Sequence, residues 1–485
     1  MYRFIPPSSL WMRITLRGAW CLLLALSVAA ISPAHARAGA AHAAAEGEPV
    51  RVGFWTMQLS PFHDAYIKGV IKAFEAQHPN VRVDWVDVPW SEMEKKTLTA
   101  VAASSPARPA PDVVNLNPQF ASKLAEFGAL ADPERYLKPE TINAFLPAVW
   151  NANRLDGKAF AMPWYLTTSV VLVNRQILQA ARVEVPKTYE TLLPAARAIR
   201  RNTGKFAYFP ALDGAIPLET LVGMGAPLLS ADGCSAGFTN ASGERVFALH
   251  RDLYRDGLVP RNVVTEGHRK AVEMFLSGQV AMISSGMQFL QSIRINNPGI
   301  YAHVDVLPQW SAHEPASAAG AVGAAGPAGA PAAAPNIAMM NIAVMQSSAN
   351  KEAAFAFAAF LTNTENQTAF AKRVPILPST RASYDDVFFS KSSGDALLDR
   401  ARAISVAQVK EGRVLVPPMR RYSKFRSDYA RNLQAVMLGR KDIPTAFADI
   451  DRVWRDLLGC RGGVVVASGT GARSISATHV GAGQK

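Results

Sequence analysis

The side chains best suited to gripping a small polar molecule without breaking a bond belong to Trp55, Gln58, Trp90, Asn115, Asn117, Trp164 and Tyr165. Aromatic rings pack on C–H faces, and amides donate and accept hydrogen bonds in one plane, so together they suit a ring that carries hydroxyls. Bond-breaking chemistry has less support. The chain has no GxSxG elbow, no HExxH pair, no CxxC and no Walker sequence. Gly223-Met224-Gly225 is a fragment of a dinucleotide loop without its third glycine, and Ser348 with Lys351 matches SxxK by spacing alone. The 9 histidines are scattered, with no pair at metal-ligand spacing in one helix. No cofactor and no metal are expected. A glycosidase needs two carboxylates across a cleft, about 5–9.5 Å apart. Asp87 with Asp213 or Glu219 is the pairing that spacing leaves open, and no motif supports it.

Each candidate has a plainer role beside the functional one. A tryptophan at a strand end packs into a core as readily as it stacks on a ligand. Trp85 alternates inward and is assigned to the core. Asn115 and Asn117 can cap a helix or satisfy a turn. What raises the group above its members is position. Open α/β sheets bind ligands at the carboxyl ends of their strands, and that is where these residues fall.

The positioning elements follow from periodicity. Pro49 to Trp55 reads as a strand, with Trp55 and Gln58 at its end. A helix then carries Ile67, Val70, Ile71 and Phe74 on one face. Val81 to Val88 alternates as a second strand that leads to Trp90, where Ser91 and Glu94 have capping-box spacing. A Pro-rich loop, Pro106 to Pro111, delivers a third strand at Asp112 to Val114, followed by Asn115, Asn117 and a helix over Pro118 to Phe127. This succession implies a layered, mainly parallel α/β sheet. The stretch Ala159 to Arg175 opens on Pro163-Trp164-Tyr165 and runs into Val170-Val171-Leu172-Val173, a strand buried on both faces. A complete α/β pattern lies on either side of it, so it reads as the passage from one lobe to a second. Helices are expected over Thr188 to Ile199, Leu218 to Leu229, Gly243 to Asp256, Arg269 to Leu276, Asn350 to Ala371, Asp395 to Lys410, Tyr422 to Leu438 and Ile443 to Leu458. Gln279 to Ile283 and Val304 to Leu307 read as strands.

At 485 residues the chain exceeds one ordinary core, and 49% hydrophobic with 18% charged residues describes a globular protein. Residues 1–36 differ in kind: Arg3, Arg13 and Arg17 precede a short apolar run, Ala19 to Ile31, that ends before Ala34-His35-Ala36. That is the layout of a secretory signal peptide cut after Ala36. Cys21 lies at the start of the run rather than beyond it, so a lipid anchor is not expected. Residues 37–48 read as a flexible leader, 315–335 as an exposed Ala/Gly/Pro-rich loop, and 461–485 as a disordered tail. Cys234 and Cys460 remain for the exported chain, and spacing leaves open whether they pair. The net charge of +13 is dispersed among acids, with no recognition motif for nucleic acid. Its densest cluster, Arg420 to Arg426, reads as solvated surface.

The stretches VGFWTMQL, KAFEAQHPNVRVDW, PDVVNLNPQFASKLAEFGAL, FAMPWYLTTSVVLVNRQIL, VPKTYETLLPAARAI, LYRDGLVP, AVEMFLSGQVAMISSG, NKEAAFAFAAFLTNTENQTAF and NLQAVMLGRKDIPTAFADID stand in this order through residues 50 to 458. In order and character they resemble the extracellular solute-binding proteins of carbohydrate ABC importers, the family that includes maltose-binding protein. The Ala/Gly/Pro insertion departs from that pattern, as does Ala338-Met339-Met340-Asn341 where many relatives carry a Gly-Gly pair. The resemblance implies an α/β, two-lobe periplasmic-binding-protein fold with three interlobe crossings. These would lie near Trp164, near 314–336 and near Val374 to Pro378. Lobe 1 would then be 49–164 plus 336–373, and lobe 2 would be 165–314 plus 374–460. It also implies further contacts at Met287, Gln288, Asn341 and Tyr422, with Asp213 and Glu219 as weaker candidates. Met287 has a plainer role as a core gap-filler, and Tyr422 as helix surface. The expected function is capture of a sugar by a periplasmic monomer that delivers it to the transmembrane subunits of a permease. No nucleic acid and no catalysis are involved. A glycerol-phosphate or phosphodiester ligand is the alternative within the same fold, and it requires an Arg or Lys in the cleft.

Overall fold

The computed structural model describes residues 48–103, 110–310 and 334–460. The signal peptide, the tail, and all but the ends of the leader and of the Ala/Gly/Pro-rich loop lie outside the described residues, as does most of the Pro-rich loop before β3. The strands are β1 (Val50–Met57), β2 (Val81–Val88), β3 (Val113–Leu116), β4 (Arg154–Leu155), β5 (Lys158–Ala159), β6 (Met162–Asn174), β7 (Phe206–Tyr208), β8 (Val280–Gly286), β9 (Val304–Pro308), β10 (Ile337–Val344) and β11 (Leu377–Pro378).

Two sheets share one strand. In the first sheet the order is β2-β1-β3-β10-β6, with β11 also on β6. In the second, β8 and β9 flank β6 and β7 lies beyond β8. The first half of β6, through Thr168, pairs with β10. From Ser169 onward the same strand pairs with β8, and from Val170 with β9. Val170 to Val173 are fully buried, as a strand covered on both faces must be. The first crossing is therefore a continuous strand that changes sheets between Thr168 and Ser169.

The sheet is mixed rather than mainly parallel. Helical crossovers set β1 parallel to β2 and β3, and β7 parallel to β8. β6 and β10 are not part of such units, and β10 runs antiparallel to β3 and to β6. The first sheet is covered on both faces. One core contains Phe54, Phe74, Trp164 and Phe357, and the other contains Val114, Leu116, Phe120 and Met340.

Helix ends follow local chemistry with some departures. Thr188 caps the Tyr189–Thr203 helix through a reciprocal pair with Thr191. The Ile443–Leu458 helix begins at Asp442, whose side chain accepts from Thr445, and stops at Gly459 in the left-handed region. No capping box forms at Ser91. The helix starts at Trp90 after Pro89, and Glu94 instead meets Lys123 at 2.5 Å. The helix expected over 350–371 is two, Lys351–Leu361 and Thr364–Ala371, because Asn363 caps the second.

Residues 377–380 stay with the first sheet, displacing the crossing expected at Val374 to Pro378. Leu377 and Pro378 pair with Leu166 and Tyr165, and the Ser379 hydroxyl donates to Pro163 O at 2.8 Å. Val374 and Ile376, just before them, line a cavity with Met287 and Tyr301 of the second lobe, and further on the Arg402 guanidinium lies 4.6 Å over the Phe388 ring. Cys234 and Cys460 are bonded, with Cα atoms 5.5 Å apart, so the end of the Ile443–Leu458 helix is tied to a loop of the same lobe.

Candidate functional site

The carboxyl ends of β1, β2 and β3 bring one group of candidates together. Gln58 adopts φ 51°, which turns the chain sharply after β1. The turn is held by Asp87, whose carboxylate accepts from Thr56 Oγ1 at 2.6 Å, Leu59 N at 3.0 Å and Ser60 N at 3.1 Å. Trp85 Nε1 donates to Thr56 Oγ1, so this tryptophan braces the turn from behind. Gln58 Oε1 in turn accepts from Trp90 N at 3.3 Å. The outcome is an exposed, neutral rim: Trp90 is 52% exposed and Phe62, at the far side of the turn, is 91% exposed. Sequence reasoning missed Phe62, although a large apolar residue in a polar turn is a readable signal. Trp55 is half-buried beneath Lys96, whose ammonium lies 4.7 Å over its ring.

Four candidates are held inside the structure. Trp164 is fully buried and stacks on Phe370 at 5.2 Å with 12° between the planes. The pairing of β6 with β10 shifts register at Trp164, a bulge that breaks the usual alternation, so the Tyr165 ring stays 5.2 Å from Trp164 and also meets Phe370 edge-on while remaining half-buried. Trp164 was expected on the cleft, and β6 places it away from there. Asn115 is buried, accepting from Met57 N at 3.4 Å and donating to Asn341 O at 3.1 Å. Asn341, also buried, accepts from Asn153 Nδ2 at 2.8 Å. These amides tie β1, β3 and β10 to the loop at Asn153, while Asn341 Nδ2 is buried without a partner. Met287 is buried and lines a cavity of about 220 Å³ with Tyr301, Val374, Ile376 and Arg402, beside the third crossing. Asn117 caps the Pro118–Glu126 helix, accepting from Phe120 N at 2.8 Å. Gln288 precedes the Phe289–Asn296 helix, and its Oε1 is buried without a partner.

The second lobe contributes a recess. Tyr422, expected on a helix surface or the far wall, is 8% exposed at the start of the Tyr422–Met437 helix. Its hydroxyl is buried without a well-formed hydrogen bond. Burial, then the charge of Glu219, raise its pKa, and Gln119 of the first lobe lies near enough to oppose that shift. Glu219, on the Ile216–Gly223 helix, is partly exposed, yet burial pushes its carboxyl up to about 7 against an amide contact from Asn336. Asn336 Oδ1 already accepts from Leu415 N at 3.1 Å, which leaves its NH2 for the carboxylate. Asp213, the other weak candidate, accepts from His268 N at 2.9 Å at the start of the His268–Leu276 helix. The carboxylates of Asp87 and Asp213 thus hold turns, and only Glu219 of the three stands in the recess.

The basic cluster beside this recess is more than solvated surface. Arg420 pairs with Asp156 of the β4–β5 turn at 2.6 Å, and Arg421 N donates to Glu126 Oε2 at 3.0 Å. Both acceptors belong to the first lobe, so the start of the Tyr422–Met437 helix is clasped to it. Among the described residues no group of histidine, cysteine and carboxylate side chains is placed to hold a metal ion, and no helix is long and apolar enough to cross a membrane.

The family model for bacterial extracellular solute-binding proteins matches residues 60–368. A solved periplasmic-binding protein of Synechococcus sp. MITs9220, assigned to oligosaccharides, superimposes with a TM-score of 0.75 at 34% identity, covering 84% of this chain and 99% of that one. An uncharacterized lipoprotein of Streptomyces antibioticus is 24% identical over 84% of this chain and 88% of its own. The diacetylchitobiose binding protein DasA of Streptomyces coelicolor is 28% identical over 39% of this chain and 42% of its own.

Proposed function

Because the chain belongs to the bacterial extracellular solute-binding proteins, we propose that it captures a sugar between its lobes and delivers it to the permease subunits of an ABC importer. A mono-, di- or oligosaccharide or a polyol glycoside fits this reading. The observation that carries it is the neutral rim of Gln58, Phe62 and Trp90 at the strand ends of the first lobe. Exposed aromatic faces and a planar amide are what a hydroxylated ring needs. The names of DasA and of the Synechococcus protein point the same way.

The action is a population shift rather than a reaction. Ligand touching both lobes favours the closed form, and β6, continuous through both sheets, is an element about which hinge closure can occur. Two carboxylates that a glycosidase could have used, Asp87 and Asp213, are engaged by backbone N–H groups, which supports binding without turnover. In this reading the protein works outside the cytoplasmic membrane as a monomer, freed of its signal peptide and without a lipid anchor. It meets the permease transiently.

A thermal-shift screen with maltose, maltotriose, cellobiose, N,N′-diacetylchitobiose and glycerophosphocholine tests this. Ligand at 100 times its Kd stabilises by about 2.7 kcal/mol, so at least one sugar raises Tm. A shift with the phosphodiester and none with any sugar would replace the sugar by the phosphorylated ligand.

A further inference from the structure

The recess of the second lobe contains a carboxylate that the fold does not neutralise. Glu219 follows Pro217 and Leu218, which are buried with Leu221 and fix the Ile216–Gly223 helix on its lobe. That anchoring leaves Glu219 on the open side, partly exposed. Among the described residues it forms no ion pair. The neighbouring arginines are committed elsewhere: Arg420 to Asp156, Arg421 through its guanidinium to Leu457 O at 2.9 Å, and Arg426 to Gly214 O at 3.3 Å. Asn336 offers one NH2 group, whereas an ionised carboxylate has roughly four acceptor positions. Tyr422 stands beside it, nine-tenths buried, with a hydroxyl that has no well-formed partner.

Resting on the sugar-binding reading, we propose that Glu219 and Tyr422 form a specificity station that takes vicinal hydroxyls of a neutral saccharide and turns away anionic ligands. The chemistry is complementary. Each sugar hydroxyl both donates and accepts. A carboxylate with spare lone pairs accepts from two neighbouring hydroxyls, and the phenol donates to one of their oxygens. A phosphate or uronate placed there meets the like charge of the ionised Glu219 carboxylate.

The station also makes recognition depend on pH. Burial raises the Glu219 carboxyl to about 7, so its charge changes near neutrality. The groups facing it are Asn336, from the segment before β10, and the phenol of Tyr422, with Arg426 of the same helix beyond. A ligand that donates to the carboxylate binds the ionised form better, so affinity rises with pH through this range.

Calorimetric titration of wild type, Glu219→Gln and Tyr422→Phe tests the proposal, using whichever of the four screened sugars shifts Tm most. Glucose 6-phosphate serves as the anionic probe. At pH 8 the E219Q variant should bind the sugar about 10- to 100-fold more weakly, the scale of one lost charge-assisted hydrogen bond. Y422F should lose about 3- to 10-fold. Wild-type affinity should rise severalfold from pH 5.5 to 8.5, and that rise should vanish in E219Q. Glucose 6-phosphate should gain affinity in E219Q relative to the neutral sugar. Sugar binding that is equal in wild type and E219Q, with the same pH profile, overturns this proposal and leaves the sugar reading standing. Wild-type protein that binds none of the four sugars overturns both.

Discussion

In the proposed binding cleft the two lobes contribute different materials. The first lobe contributes neutral groups on short turns, Trp90 and Phe62 projecting and Gln58 Oε1 accepting from Trp90 N, while the Asp87 carboxylate is tied into the backbone. The second presents an ionisable pair, Glu219 and Tyr422, sunk beside a helix start and not tied down. A projecting aromatic face adds contact area and tolerates variation in the ring it meets. A recessed carboxylate demands donors at defined positions. The comparison assigns general grip to the first lobe and discrimination to the second.

The sharpest break of that assignment concerns two tryptophans of the first lobe. Trp164 is stacked in the core, and Trp90 projects. Trp164→Ala should cost about 3–5 kcal/mol of stability, as large-to-small core changes do. Trp90→Ala should leave stability within about 0.5 kcal/mol and weaken sugar binding by about 10-fold, the value of roughly 1.4 kcal/mol of stacking. Chemical denaturation paired with calorimetry separates the two. A Trp164→Ala protein of unchanged stability and impaired binding would return that residue to the cleft.

This pair also marks how far the residues could be read without coordinates. Strands were legible because they alternate or run continuously apolar, and the Ile443–Leu458 helix was legible at both ends because Asp442 and Gly459 are strong stop signals. What failed was direction. The Trp164-Tyr165 pair invites a shared role on a cleft, but a bulge in the pairing of β6 lets both rings pack against Phe370, and no local pattern announces that bulge. Asn115 and Asn341 were misread for a related reason. The Asn115 amide donates to the Asn341 carbonyl and the Asn341 amide accepts from Asn153, contacts across long sequence separations that no local pattern records. Glu219 stood only as a weaker candidate because its surroundings, Asn336 and Tyr422, come from distant parts of the chain.

A second and slightly smaller effect tests the second lobe alone, through stability of the ligand-free protein. The Glu219 carboxyl ionises near 4.5, the ordinary glutamate value, when unfolded but only at about 7 when folded. The folded state therefore holds its proton longer, and the associated stability is complete below pH 4.5 and is lost as pH rises through about 7. At 1.36 kcal/mol per unit the loss is about 3 kcal/mol. Urea denaturation from pH 4.5 to 8.5 should show this fall in wild type and a flatter profile in Glu219→Gln. Matching profiles in the two proteins would mean that Glu219 is hydrated like a surface acid, and the contrast between the lobes would lose its charged half.

The smallest effect concerns one of the places where the lobes grip each other directly beside the recess. Arg420 and Asp156 meet at 2.6 Å, but both side chains are more than half exposed, so water and salt screen the pair. Exposed pairs contribute about 0.2–1 kcal/mol. Asp156→Ala should therefore leave the fold intact and lower sugar affinity by no more than about 5-fold at low ionic strength, with the difference vanishing in about 0.5 M salt. The direction matters more than the size. The pair joins the helix that carries Tyr422 to the turn before β6, so its energy belongs to the closed arrangement of the lobes. Ligand draws on that same arrangement, and any stabilisation of it appears as affinity. An Asp156→Ala protein that binds sugar as wild type does at low salt would reduce the clasp to a surface ion pair. Discrimination by the second lobe would then rest on Glu219 and Tyr422 without help from closure.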